Sequence, residues 1–172
     1  MNIQDTLASI ASAGPPLTGY HFRVDFGLPG LFVKDVGFKE VSGISLKLKT
    51  EEASVPGTSE KLVLPNGYEY GDLKLSRGMF VGSKLIDWLE AQIKMQDKYP
   101  IPIIVTTLDE NRLPIYSWVF INAYPIELST KGFNAEKGEI LIEEITFKYW
   151  FYKQVNLSAM SAGLKMAMNA IK

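Results

Sequence analysis

The chain carries a single histidine, His21, and no cysteine. A general base needs a nucleophile and an orienting group within hydrogen-bond reach, and no G-x-S-x-G turn supplies that nucleophile. Zinc takes three or four ligands from His, Cys or carboxylate, so His21 alone builds no such site. The plainer reading of His21 is a polar strand residue. Gly78-Met79-Phe80-Val81-Gly82-Ser83-Lys84 has the residue types of a phosphate loop in the wrong order. Ser precedes Lys and the glycine spacing is one residue short, so backbone amides and ammonium would not converge on a phosphate. It reads as a strand-to-helix turn. Two carboxylate pairs remain. Glu143 and Glu144 sit in a predicted strand, where neighbours point to opposite faces, and Glu51 and Glu52 sit in a polar stretch where nothing would raise a carboxyl pKa. No catalytic, cofactor-binding or metal-ligating residue is assigned.

Behind these residues stands a chain of 172 residues, 47% hydrophobic and 22% charged, long enough for one domain with a substantial core. The formal net charge is −1, with Lys and Arg scattered among Glu and Asp. A protein that holds a phosphate backbone carries a basic stripe, so sequence-specific nucleic-acid binding is disfavoured. Little long-range repulsion between copies permits self-association. The absence of cysteine excludes disulfides and thiolate chemistry. No secretory signal is visible in the first residues. The densest apolar run, Ile101 to Val105, falls far short of the about 20 residues a spanning helix needs.

The elements that would position any surface are mostly strands. Residues 2–13 carry a short helical pattern stopped by Gly14-Pro15-Pro16. From Tyr20 the period becomes two: Tyr20, Phe22, Val24 and Phe26 alternate with polar groups. A second extended stretch is expected from Phe38 to Lys49, with Gly43 marking a bulge or close backbone approach. Residues 50–60 read as a long exposed loop around Pro56-Gly57. Strands follow at 61–64 and 68–76, separated by a turn at Pro65-Asn66-Gly67, with Leu73 and Leu75 inward. Leu85, Ile86, Leu89 and Ile93 then form one helical stripe edged by Trp88. Residues 101–108 and 115–123 form a predicted hairpin across Asp109 to Arg112. Tyr124-Pro125 separates it from a short strand at 126–129.

The last predicted strand, Glu139 to Tyr152, is the longest. Leu141, Ile145, Phe147, Tyr149 and Phe151 give one face that should meet the core. The other face carries Ile140, Ile142, Trp150 and Tyr152 among polar residues, more apolar than a solvated face requires. Either a second protein surface or the other layer of the same sandwich accounts for it. Asn156 is placed to cap a final helix in which Leu157, Met160, Leu164, Met168 and Ile171 recur on one side. That side packs on its own sandwich, on a neighbouring subunit or on a membrane surface. Flexible methionines suit adaptable contacts.

The order of short phrases carries a resemblance. Gly19-Tyr20-His21-Phe22-Arg23-Val24 precedes Phe38-Lys39-Glu40-Val41-Ser42-Gly43-Ile44. Then come Leu64-Pro65-Asn66-Gly67-Tyr68, Leu73-Lys74-Leu75-Ser76-Arg77-Gly78, the helix with Trp88, Leu108-Asp109-Glu110, and Trp118-Val119-Phe120-Ile121-Asn122-Ala123-Tyr124-Pro125. With the closing strand, this succession resembles the tail tube protein family of contractile phages and extracellular contractile injection systems. It is more distantly similar to the tube protein of type VI secretion.

The resemblance implies a mainly β fold, a β-sandwich or barrel-like tube-protein domain over 19–153 with one flanking α-helix. Residues 1–18 and 154–172 stand outside it as terminal extensions with short helices. It implies a structural, non-enzymatic subunit whose hexameric rings stack into a tube around a lumen for cargo or DNA. Its partners would be a contractile sheath, spike, baseplate and terminator proteins. Assembly would take place in the cytoplasm before incorporation into a phage tail or a released particle. Glu51, Glu52, Pro56 and Gly57 would reach neighbouring subunits or the next ring. The two extensions point to a specialised baseplate-proximal or terminal ring as much as to the repeating tube. Two other readings compete: a ligand-binding β-barrel or lectin-like module using Tyr68, Tyr70 and Tyr124, and a small hydrolase using His21.

Overall fold

A computed structural model describes residues 19, 21–27, 37–54, 56–57, 61–95, 98–131 and 140–170. The helix expected over 2–13 lies outside them. The elements in chain order are β1 (Phe22–Phe26), β2 (Glu40–Ser42), β3 (Leu46–Ser54), β4 (Lys61–Tyr70), β5 (Leu73–Gly78), α1 (Lys84–Lys94), β6 (Ile101–Leu108), β7 (Pro114–Thr130), β8 (Ile142–Lys148), β9 (Phe151–Asn156) and α2 (Ser158–Ala170). The chain is mainly β, as its alternating patterns require.

All strand pairs are antiparallel. One layer runs β1-β6-β7-β9 and the other runs β7-β8-β5-β2, so β7 belongs to both. Its first half pairs with β6 and β9, and from Tyr124 onward it pairs with β8. Inward residues of both layers meet in one core: Val24, Ile103, Val105 and Phe120 from the first, Leu73, Leu75, Ile145 and Phe147 from the second. Each such side chain contributes about 1.5–3 kcal/mol through burial. A strand that passes between packed layers turns a corner through a bulge or bend.

Three expectations about strand boundaries are corrected. The stretch from Pro114 to Thr130 is one strand, not two. Pro125 does not end it, because the register shifts between Pro125 and Glu127, and a bulge is where a strand tolerates the missing N–H. The long final strand is instead two. It breaks at Tyr149-Trp150, where the Trp150 N–H donates to the Ile121 carbonyl at 3.0 Å, and β9 crosses to the other layer. The stretch from Phe38 to Lys49 also divides: β2 pairs with β5, whereas Leu46 and Leu48 enter β3 and stand exposed.

The helix and hairpin follow their local signals. Ser83 caps α1 by accepting from the Ile86 N–H at 3.3 Å, and Leu85 and Leu89 are fully buried. The Lys98 ammonium donates to the Gln92, Ile93 and Met95 carbonyls and closes the other end. The β6–β7 turn is held by Asp109 Oδ1, which accepts from the Asn111 and Leu113 amides, both at 2.8 Å.

Candidate assembly surfaces

Residues 50–54, expected in a loop, are strand. β3 and β4 form a two-stranded antiparallel arm that pairs with no other strand among the described residues. Nearly every position of both strands is exposed, so the arm projects away from the sandwich. The expected turn at Pro65-Asn66-Gly67 lies inside β4. Leu48 faces Tyr68 and Thr50 faces Pro65, so β4 carries one residue more than β3 between those pairs. Gly67 takes φ +75° within this bulge.

Cross-strand partners share a face, and the bulge changes which face is apolar. Toward the base, Leu46, Leu48, Tyr68 and Tyr70 share one side and Lys47, Lys49 and Glu69 the other. Toward the tip, Ala53, Leu62 and Leu64 lie on the side of Glu51. The arm neutralises its own charge: Lys49 pairs with Glu69 at 2.9 Å and Lys61 with Glu52 at 2.6 Å. Asn66 Nδ2 donates to Glu51 Oε2 at 2.6 Å. The hydrogen bond and charge of Lys49 hold the Glu69 carboxyl below its ordinary value. These pairs are exposed and individually weak. Among the described residues, the two arm strands hold three lysines against three glutamates.

The base of the arm is firmly seated. A Cβ on Gly43, which has φ +81°, would lie 1.9 Å from the Asp72 carbonyl oxygen. The expected close backbone approach at Gly43 is therefore present. Gly71 donates its N–H to the Ser45 carbonyl at 3.0 Å, and a Cβ there would meet Ser45 Oγ at 2.3 Å. Tyr70 packs on Tyr152 and Tyr149, with ring centroids 5.3 and 5.8 Å away, and Tyr149 packs on Phe120 at 4.8 Å. Burial among these rings pushes the Tyr149 hydroxyl up to about 12. Beside them Lys148 meets Asp72 at 2.5 Å, and that hydrogen bond raises the Lys148 ammonium above its ordinary value.

At the other end of β5 lies a second apolar surface; sequence reasoning read its residues 79–81 as a turn and Ile140 as part of the apolar outer face of the last strand. Met79, Phe80 and Val81 are exposed, Val81 completely, and Ile140 beside them is 76% exposed. A buried polar cluster holds this ledge from beneath. The Arg77 side chain, 0% exposed, donates Nε to Glu143 at 3.1 Å and Nη2 to Ser83 Oγ at 2.5 Å. Its guanidinium lies 5.8 Å from the centre of the Phe80 ring. The Met79 N–H donates to the Leu141 carbonyl at 2.9 Å. Glu143 was the available signal: a carboxylate at an inward register among Leu141, Ile145 and Phe147 requires a buried partner.

The remaining sequence candidates are distributed over several surfaces. Glu51 and Glu52 are on β3, and Pro56 and Gly57 are exposed at the arm tip. Ile142 is half-buried at the start of β8, while Trp150, 69% exposed, marks the corner between β8 and β9. Tyr152 packs within the aromatic cluster of its own body. Leu157 is half-buried and donates its N–H to the Ile115 carbonyl at 2.7 Å. In α2, Met160 and Leu164 are exposed; Met168 belongs to the helix, but its side chain lies outside the described residues. Asn156 Oδ1 accepts from the Ser158 N–H at 3.0 Å, at the start of that helix.

Tyr68, Tyr70 and Tyr124 line no common cleft among those described. One cleft lies between α1 and β7, around Ile93, Lys94, Ile126 and Leu128. Another, of about 240 Å³, opens between β1 and β2 around Phe22, Val41, Ile44 and Trp118. Among the described residues, no three His, Cys, Asp or Glu side chains are grouped to hold a metal ion. Among them, too, no helix is long and apolar enough to cross a membrane.

The fold is a two-layer antiparallel sandwich that seats an exposed two-stranded arm at one end of β5 and a braced apolar ledge at the other. Residues 18–151 match the family described as T4-like virus tail tube protein gp19, and the chain belongs to that family. No curated protein matches it. Among solved structures, a chain of the anti-feeding prophage baseplate is 21% identical with a TM-score of 0.71, covering 84% of this chain and 99% of that one. A chain of the PVC extracellular contractile injection system sheath–tube complex in the extended state is 23% identical with a TM-score of 0.68, covering 87% and 97%. Hcp1 from Flavobacterium johnsoniae is 11% identical with a TM-score of 0.55, covering 80% and 96%. At these identities the likeness concerns the fold. It is the tube-protein fold that the ordered sequence phrases implied.

Proposed function

We propose that this tail tube protein is a non-enzymatic subunit whose copies close into hexameric rings and stack around a lumen that passes cargo or DNA. The observation that carries the reading is the projecting arm. A two-stranded ribbon is marginal in water by itself, and this one exposes Leu46, Leu48, Leu62, Val63, Leu64 and Tyr68. Exposed apolar surface on a firmly seated arm has a use when another chain covers it. Among the described residues, β1, β2 and β9 are edge strands and offer further backbone groups for pairing between copies. A structural neighbour drawn from a six-fold symmetrised baseplate supports the ring number.

The tube sits inside a contractile sheath, above a spike and baseplate, and below a terminator. It assembles in the cytoplasm and then forms part of a phage tail or a released tail-like particle. The family match over 18–151 supports reading residues 1–18 and 154–172 as extensions of the tube domain over 19–153. Such extensions suit a baseplate-proximal or terminal ring. Negative-stain microscopy and native mass spectrometry of the purified chain, with and without co-produced baseplate proteins, test the reading. Rings or tubes of six-fold symmetry are expected. A strict monomer at high concentration under both conditions overturns it.

A further inference from the structure

Asn66 is the one asparagine in the chain that a glycine follows. The pair sits where the ladder of the arm is interrupted. Pro65 faces Thr50 and Tyr68 faces Leu48, while neither Asn66 nor Gly67 has a register partner. Both residues are exposed. Gly67 takes φ +75°, and a Cβ built on it would meet nothing within 4 Å. The Asn66 side chain donates Nδ2 to Glu51 Oε2 at 2.6 Å, an exposed hydrogen bond that water can replace at little cost.

We infer that Asn66 is a deamidation site in the folded chain, and that its conversion to aspartate and isoaspartate loosens the tip of the arm. The Gly67 amide nitrogen attacks Asn66 Cγ, and the Cγ–Nδ2 bond breaks. Nδ2 leaves as ammonia, and the proton it takes up balances the one that the Gly67 nitrogen gives to water. Water then opens the succinimide ring. Addition at Cγ yields aspartate, and addition at the main-chain carbonyl carbon yields isoaspartate. Nothing is oxidised or reduced, and water is the co-reactant. Glycine favours the attack because no side chain shields its nitrogen. The bulge favours it because the extra residue is left out of the ladder that would hold the peptide in place. This goes beyond the tube reading and holds whether or not copies assemble.

The neighbouring strand sets what conversion does. Glu51 Oε2 lies 2.6 Å from the nitrogen that is lost, so the new carboxylate faces an existing one. A hydrogen bond across the strands becomes a like-charge contact. Isoaspartate adds a second disturbance, because the main chain then runs through Cβ and Cγ and gains a methylene. Residues 51–54 and 61–64 pair on the tip side of this contact, whereas 46–48 and 68–70 pair on the side seated against the body. The tip should open while the base stays closed.

The purified chain is incubated in mildly alkaline buffer made with water labelled with heavy oxygen, folded or unfolded in urea, and mapped by peptide mass spectrometry. Asn111, exposed in the β6–β7 turn but followed by Arg112, is the internal control. Label is expected at Asn66 of the folded chain on the order of tenfold faster than at Asn111. Asn66→Asp is expected to speed hydrogen exchange at the tip by about fivefold or more and to leave the base unchanged. Glu51→Gln in that background lets an amide face the new carboxylate again and should restore slow exchange. Labelling at Asn66 no faster than at Asn111, or seen only in urea, overturns the site. Tip exchange unchanged in Asn66→Asp, or unrestored by Glu51→Gln, overturns its effect on the arm. None of these outcomes depends on whether rings form.

Discussion

Arg77 and Glu143 form an ion pair inside the sandwich, with Nε 3.1 Å from the carboxylate and side chains 0% and 5% exposed. The pair joins neighbouring strands β5 and β8 at register partners and reaches α1 through Ser83. Taking two charges out of water is costly, and their attraction offsets that cost only while both are present. Arg77→Ala is therefore expected to destabilise the fold by about 3–5 kcal/mol, and Arg77→Met with Glu143→Leu to recover most of it. Urea unfolding of the single and double variants measures the difference. Equal loss in both would show that the pair is not the source.

Tyr149 is buried, and its hydroxyl has no hydrogen-bond partner among the described residues. Its folded pKa, raised from 10.0 to about 12 by burial, fixes the sign of a pH effect. Between those values the unfolded chain gives up the proton and the folded chain keeps it. The associated stability is thus complete below about pH 10 and is lost as pH rises toward and through about 12. Tyr149→Phe should remove this alkaline dependence and be neutral or mildly stabilising near pH 7, since an unpaired buried hydroxyl is deleted. Thermal unfolding at a series of pH values tests both parts. An unchanged alkaline slope in the variant would assign the dependence to another group.

Gly43→Ala places a methyl group into the Asp72 carbonyl at a positive φ. A non-glycine residue in that region costs about 1–3 kcal/mol before the collision is counted. The arm base should loosen first, so hydrogen exchange at the Gly71 amide is expected to quicken more than exchange in β6. Uniform acceleration would mean that the approach supports the whole sandwich.

Ser45 and Gly71 are joined by a 3.0 Å backbone hydrogen bond, so residues 47–69 can be replaced by a short Gly-Ser linker without straining the body. The shortened chain is expected to retain β-type circular dichroism and cooperative melting but to lose self-association in sedimentation. Retained assembly would remove the arm from the interface.

Removing residues 157–172 spares β9, which ends at Asn156, and deletes the exposed Met160 and Leu164. The sandwich should persist while ring assembly or partner choice changes. Loss of β-type circular dichroism would show instead that the tail is part of the core.

Much of this architecture is legible locally. Period-two alternation puts Val24, Leu73 and Leu75 inward, a helical stripe buries Leu85 and Leu89, and the Asp109 turn announces the β6–β7 hairpin. Gly43 announces a close backbone approach without naming Asp72. Alternation is blind, however, to which sheet supplies the partner. The pattern is the same whether a strand continues or crosses between layers, so the unbroken β7 and the divided final strand were decided by pairing with β6, β8 and β9. The arm escaped detection for a related reason: Leu46 and Leu48 look like core in one dimension, and only the path of the folded chain leaves them uncovered. Glu143 finds Arg77 across 66 residues, a distance over which sequence spacing carries no information about contact. Local geometry is written in adjacent residues; the partner of each surface is set by the packing of the whole chain.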